Sequence, residues 1–144
     1  VFDALVLPVH LPRLRSLLAR HPDLRVVIDH GAKPSPSAPV GAWADGLRAI
    51  AAETAPERVA CKLSGLWTEL PQGSDSAALA PWCEVLWSVW GADRLIWGSD
   101  WPVLEMAADY DRWRTWSLDF LRQRCTPAQL QRVLERNAQQ MYRL

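Results

Sequence analysis

Apolar positions along this chain gather into four short runs: FDALVL (2–7), RVVID (25–29), VACKL (59–63) and RLIW (94–97). Each is nearly continuous and rich in β-branched or aromatic residues, which predicts strands. Unbroken apolar runs, without strict alternation, suit parallel strands covered on both faces. Between the runs, apolar residues recur every three or four positions instead. Leu11, Leu14, Leu17 and Leu18 share one helical face after the first run. After the second comes a Pro/Ser-rich loop, GAKPSPSAP, then Val40, Trp43, Leu47 and Ile50 at helical spacing. The third run leads through a loop to Leu79, Trp82, Leu86 and Trp90, and the fourth to Tyr110, Trp113, Trp116 and Phe120. A last helix is expected to open at Thr126, with Pro127 at its first position and Gln129 completing a capping box.

The order is β-α-β-α-β-α-β-α plus a terminal helix, so the fold class is α/β with right-handed crossovers and a parallel sheet. Two architectures satisfy it: an open doubly wound sheet, or half of a (β/α)8 TIM barrel, whose whole needs about 250 residues. No GxGxxG or GxxxxGK[ST] follows any run, which argues against a nucleotide site.

Composition narrows the function classes. Sixteen basic and sixteen acidic residues balance over 144 positions, so nothing marks a nucleic-acid binder. No apolar stretch is long enough to span a membrane. Three cysteines, Cys61, Cys83 and Cys125, show no CxxC spacing and suit a reducing, cytoplasmic setting. Nine tryptophans point to an aromatic-rich core. Fourteen arginines against two lysines leave Lys33 and Lys62 as the only amines on side chains. The chain opens at Val1 within a strand-like run, with no signal peptide visible, so it is expected to be the C-terminal piece of a longer protein.

In either architecture chemistry belongs at the C-terminal ends of the strands. The second run ends in Asp29, His30 and Lys33, the third in Lys62, Ser64 and Trp67, the fourth in Ser99, Asp100 and Trp101. His30 suits a metal ligand or a donor to a substrate carbonyl, against the alternative of a capping or core histidine. Asp100 suits a general base for water or a metal ligand, against the alternative of a cap; no basic residue lies near it in sequence. Lys62 suits neutralisation of a substrate carboxylate or an oxyanion, against a lysine that snorkels to the rim. Lys33 reads as solvated on a flexible loop. Trp67 and Trp101 suit pocket walls or core. Cys61 reads as core, His21 as structural at the opposite end, and His10 as intermediate.

The stretches HLPRLRSLLARHPDLRVVIDHGAKP, CKLSGL, RLIWGSDWPV and NAQQMYRL, in this order, resemble the C-terminal half of metal-dependent-hydrolase-like amidohydrolases. The branch holding L-fuconolactonase-like and 2-pyrone-4,6-dicarboxylate lactonase-like enzymes is the nearest. The resemblance implies one partial TIM-barrel domain over residues 1–144, with the N-terminal strands absent. It implies catalytic roles for His30 and Asp100, with the aspartate taking a proton from the attacking water. It also implies substrate contacts from Lys62 and Ser64. The cofactor is either none or one divalent metal, zinc or manganese, with His30 and Asp100 as ligands. The family's first strand ends in an H-x-H motif, which would precede Val1. The expected activity is hydrolysis of a lactone of a sugar acid or small carboxylic acid. The alternatives are a metal-dependent decarboxylase of the same fold and an inactive fragment. The expected partner is a small-molecule lactone, with no nucleic acid or membrane, and open sheet edges allow a homo-oligomer.

Overall fold

The computed structural model describes all residues from Val1 to Leu144. Four strands, β1 (Phe2–Ala4), β2 (Val26–Ile28), β3 (Val59–Leu63) and β4 (Leu95–Trp97), pair in parallel in the order β1-β2-β3-β4. Four crossover helices follow them: α1 (Leu11–Arg20), α2 (Val40–Glu53), α3 (Ala80–Arg94) and α4 (Tyr110–Arg122). The terminal helix runs as α5 (Pro127–Gln131), a π-helical stretch (Arg132–Arg136) and α6 (Asn137–Tyr142). Its start matches the expected capping box, with Thr126 and Gln129 bonded to each other's backbone N–H.

Strand order decides between the two expected architectures. A doubly wound sheet reverses its strand order at a switch point and carries helices on both faces. Here the order is sequential. Ala4, Val26, Ile28, Val59, Cys61, Leu63 and Leu95 join the crossover helices in one 28-residue core on a single face. Alternate residues Val27, Ala60 and Ile96 point the other way, into a separate four-residue cluster with Met141 of α6. This is the wall of half a (β/α)8 barrel: one face packed on helices, the other turned toward the barrel interior.

The strands are shorter than the apolar runs. FDALVL yields only three paired residues, because β2 offers it no partner beyond Ile28. The chain then turns into a 3-10 segment at Pro8–His10, where the His10 ring accepts from the Leu7 N–H at 3.1 Å. The tryptophans largely fill the core, as expected: Trp43, Trp67, Trp82, Trp90 and Trp113 are all buried. Tyr110, grouped with that face in the sequence, is 40% exposed at the start of α4. Cys61 and Cys83 are core residues whose thiols burial pushes well above their ordinary value, so neither is a nucleophile at neutral pH.

Candidate active site

The C-terminal ends of β2, β3 and β4 each break into a tight turn, and the turns converge. After β2 the backbone enters the left-handed region at His30, Gly31, Ala32 and Lys33 (φ of 51°, 58°, 61° and 50°). After β4 it does so again at Asp100 (φ 61°), immediately before the cis Trp101–Pro102 bond. Left-handed conformations at non-glycine residues cost of order 1 kcal/mol or more and persist only where surrounding structure enforces them. Two buried tryptophans on the crossover helices bond to these turns. Trp43 of α2 donates its indole N–H to the Gly31 carbonyl at 2.7 Å, and Trp113 of α4 donates to the Gly98 carbonyl at 2.8 Å. Each clamps one of the strained turns to the helical layer. Their apolar bulk is legible in the sequence; their use as donors to those turns is not.

The turns bring His30 and Asp100 together from different strands. Nε2 of the imidazole lies 3.5 Å from Oδ1 of the carboxylate, and both side chains are mostly covered (19% and 12% exposed). The acid that lacks a basic neighbour in sequence thus finds one across the rim. On the other side of the ring, Nδ1 lies 2.8 Å from Oγ of Ser64, which follows β3. Ser64 is itself 2% exposed.

Lys62, the last inward-facing residue of β3, contacts Asp29 at 2.7 Å and Asp3 of β1 at 3.4 Å. Asp29 immediately precedes His30, so this ion pair abuts the His30 turn. The contact with Asp29 is a close ion pair without the alignment of a good hydrogen bond. Burial opposes charge on Lys62, but Asp29 and Tyr142 outweigh it and hold the ammonium above the ordinary lysine range. Tyr142 of α6 donates to Asp3 and lies under the Lys62 ammonium, 5.8 Å from ring centroid to Nζ. Burial and Asp3 push its phenol up to about 12, against the pull of Lys62.

The remaining expected residues fall elsewhere. Trp67 is buried, with the Arg112 guanidinium 5.0 Å over its ring, and Trp101 is 63% exposed. Ser99 caps its own turn by accepting from the Trp101 N–H. Lys33, expected to be solvated on its Pro/Ser-rich loop, is instead ion-paired and only partly exposed. The left-handed turn carries it back over the rim to pair with Glu69, in the turn after β3. His21 lies at the opposite end of the strands, where its carbonyl accepts from Arg58. A surface cleft lined by Arg25, Asp93, Arg132 and Asn137 also belongs to that end and contains none of the candidate residues.

The amidohydrolase family model matches residues 1–144. The chain belongs to the amidohydrolase family. It is 42% identical over 147 residues, 99% of its length and 50% of the relative's, to the L-fucono-1,5-lactonase of Burkholderia ambifaria. An amidohydrolase from Burkholderia multivorans solved with bound zinc superposes with a TM-score of 0.89 at 31% identity, covering 99% of this chain and 52% of the other. A putative 2-pyrone-4,6-dicarboxylic acid hydrolase from Pseudomonas putida superposes at 0.63 with 26% identity, covering 92% of this chain and 48% of that one. The chain thus spans about half the length of the curated relatives it matches.

A metal is a natural question for an amidohydrolase. Zinc in catalytic sites takes three protein ligands plus a water. The rim offers His30 and Asp100, and no group of three or more His, Cys, Asp or Glu side chains is gathered here. The donors of this chain do not by themselves compose a metal centre. What they do compose is a covered acid–imidazole pair with a buried hydroxyl behind the ring, bordered by an ion-paired lysine.

Proposed function

We propose that the full-length amidohydrolase to which this half-barrel belongs hydrolyses a sugar-acid lactone, with L-fucono-1,5-lactone as the first substrate to test. The observation that carries the proposal is the meeting of His30 and Asp100 at the C-terminal rim, 3.5 Å apart on different strands. Lactonase relatives favour ester hydrolysis over the decarboxylase alternative.

In this mechanism Asp100 accepts a proton from water as the water oxygen attacks the lactone carbonyl carbon. His30 donates from Nε2 to the carbonyl oxygen, which gains negative charge in the tetrahedral intermediate. The ring C–O bond then breaks, and the proton held by Asp100 passes to the departing alkoxide to give the open hydroxy acid. Lys62, charged and fixed by Asp29, adds positive potential near the oxyanion or a substrate carboxylate. Trp101, exposed beside Asp100, offers an apolar wall to the sugar ring.

Replacing Asp100 with Asn in the full-length protein tests the reading. Loss of a general base costs about 10²- to 10⁴-fold in kcat. Undiminished kcat on every lactone the wild type hydrolyses would remove Asp100 from the mechanism.

A further inference from the structure

From the surroundings of the His30 ring we infer that Ser64 is a positioning residue: its hydroxyl donates to Nδ1 of His30 and fixes the imidazole as the Nε2–H tautomer. The inference rests on the lactonase reading for its kinetic consequence, but its structural content stands apart from any substrate.

The direction of the hydrogen bond follows from burial. Ser64 is 2% exposed, and its Oγ has one hydrogen-bonding partner, Nδ1 of His30 at 2.8 Å. A buried hydroxyl proton without an acceptor leaves a desolvated donor unsatisfied. If Nδ1 carried the ring proton, Oγ would accept and its own proton would have nowhere to go. If Nδ1 is bare, Oγ–H donates and the buried hydroxyl proton is used. The proton then sits on Nε2, the nitrogen facing Asp100. The carboxylate favours the same arrangement, because a bare Nε2 lone pair would meet its negative charge. Two partners on opposite sides of the ring therefore select one tautomer.

The next residue makes room for this arrangement. Gly65 has φ +60°, and a Cβ placed on it would lie 2.5 Å from both Cγ and Nδ1 of His30. The ring is stacked directly against the glycine backbone, so the Ser64-Gly65 pair receives the imidazole edge and face together. Ser64 thereby differs from the substrate-contacting role that family resemblance suggests for it. It sits behind the ring, almost fully covered, with Gly98 close against its Cβ. A histidine held this way presents a single N–H toward the reacting carbonyl, with no conversion between tautomers during turnover.

The test has two independent readouts. Long-range 1H–15N NMR of the full-length protein, with the His30 signals assigned by their loss in His30→Gln, reports its tautomer at neutral pH. The wild type is expected to show the Nε2–H form, Ser64→Ala a mixture, and Ser64→Thr, which keeps the hydroxyl, the wild-type form. In the full-length protein, Ser64→Ala is expected to lower kcat about 10- to 100-fold with KM changed less than about twofold, and Ser64→Thr to recover most of it. A wild-type Nδ1–H form, or a tautomer unchanged by Ser64→Ala, overturns the inference. So does a rise in KM with kcat preserved, which would make Ser64 a substrate contact. A protein that hydrolyses no lactone defeats the lactonase reading alone and leaves the NMR result standing.

Discussion

Where the strands begin, Arg58 donates to the carbonyls of Leu18, His21 and Leu24, Arg94 donates to Ala51, and Asn137 donates to Ala92 and Leu95. Where they end, His30, Ser64 and Asp100 bond or face one another, and the backbone beneath them is left-handed at two of the three. The first rim uses polar side chains to close carbonyls left open at helix ends and where strands begin. The second holds polar side chains against each other on a backbone that would relax if released. The difference is that between groups spent on closing the backbone and groups kept ready for something else. Barrel enzymes divide stability and chemistry in this way between their two faces.

The comparison breaks most visibly at Asn137. Its buried amide serves two carbonyls at once, at 2.8 and 2.7 Å. Asn137→Ala is expected to cost about 2–4 kcal/mol, since each buried group left unpaired costs about 1–3. Activity per folded molecule should be unchanged. Urea unfolding measures the first, and a loss under about 1 kcal/mol would mean that this rim is not what holds the wall together.

The opposite rim should respond in reverse. Asp100→Asn keeps the size of the side chain, removes a largely buried carboxylate, and places an amide where left-handed backbone is well tolerated. Stability is expected to stay level or rise by up to about 1 kcal/mol, the usual trade between a strained site and a relaxed one. Thermal unfolding decides it. A fall of about 2 kcal/mol would make Asp100 a structural acid like its counterparts at the first rim.

How much of this was legible in the sequence divides along the same line. Patterns that live within a few residues were readable: the four strands, the faces of α1 and α2, the capping box at Thr126. So was the placement of His30 and Asp100 at one rim, because strand ends of a parallel sheet share a side whatever their register. What could not be read depends on turn geometry and on contacts between distant residues. The Pro/Ser composition after His30 suggests a loose loop, but the left-handed turn curls Lys33 onto Glu69. Asp3 and Tyr142 stand 139 positions apart, and nothing local says that α6 turns its tyrosine onto the inner face of β1. Ser64 looks like a rim residue by spacing, yet it is buried at the Nδ1 edge of the ring, while Gly65 lets the imidazole lie close against the backbone. The tryptophans were legible as bulk and not as donors, since a donor is defined by the carbonyl it meets.

Between the two rims, the Lys62–Asp29–Asp3–Tyr142 network offers the smallest effect and the finest discrimination. Both Lys62 and Tyr142 hold their protons more tightly in the folded chain than their ordinary values of 10.5 and 10.0. For a group whose value is raised on folding, the stabilisation is complete below the unfolded value and is lost as pH climbs through the folded one. The lysine and tyrosine parts are therefore complete at neutral pH, and the tyrosine part is lost between about pH 10 and about 12. Because both side chains are partly solvated, the change is expected to be a few tenths of a kcal/mol, on the scale of an exposed ion pair. Tyr142→Phe removes the titrating phenol, so its Tm should begin slightly lower than the wild type's and the gap should narrow between about pH 10 and 12. Parallel Tm curves across that range would show that α6 is held on the inner face by Met141 and its apolar neighbours alone, with the polar network merely alongside.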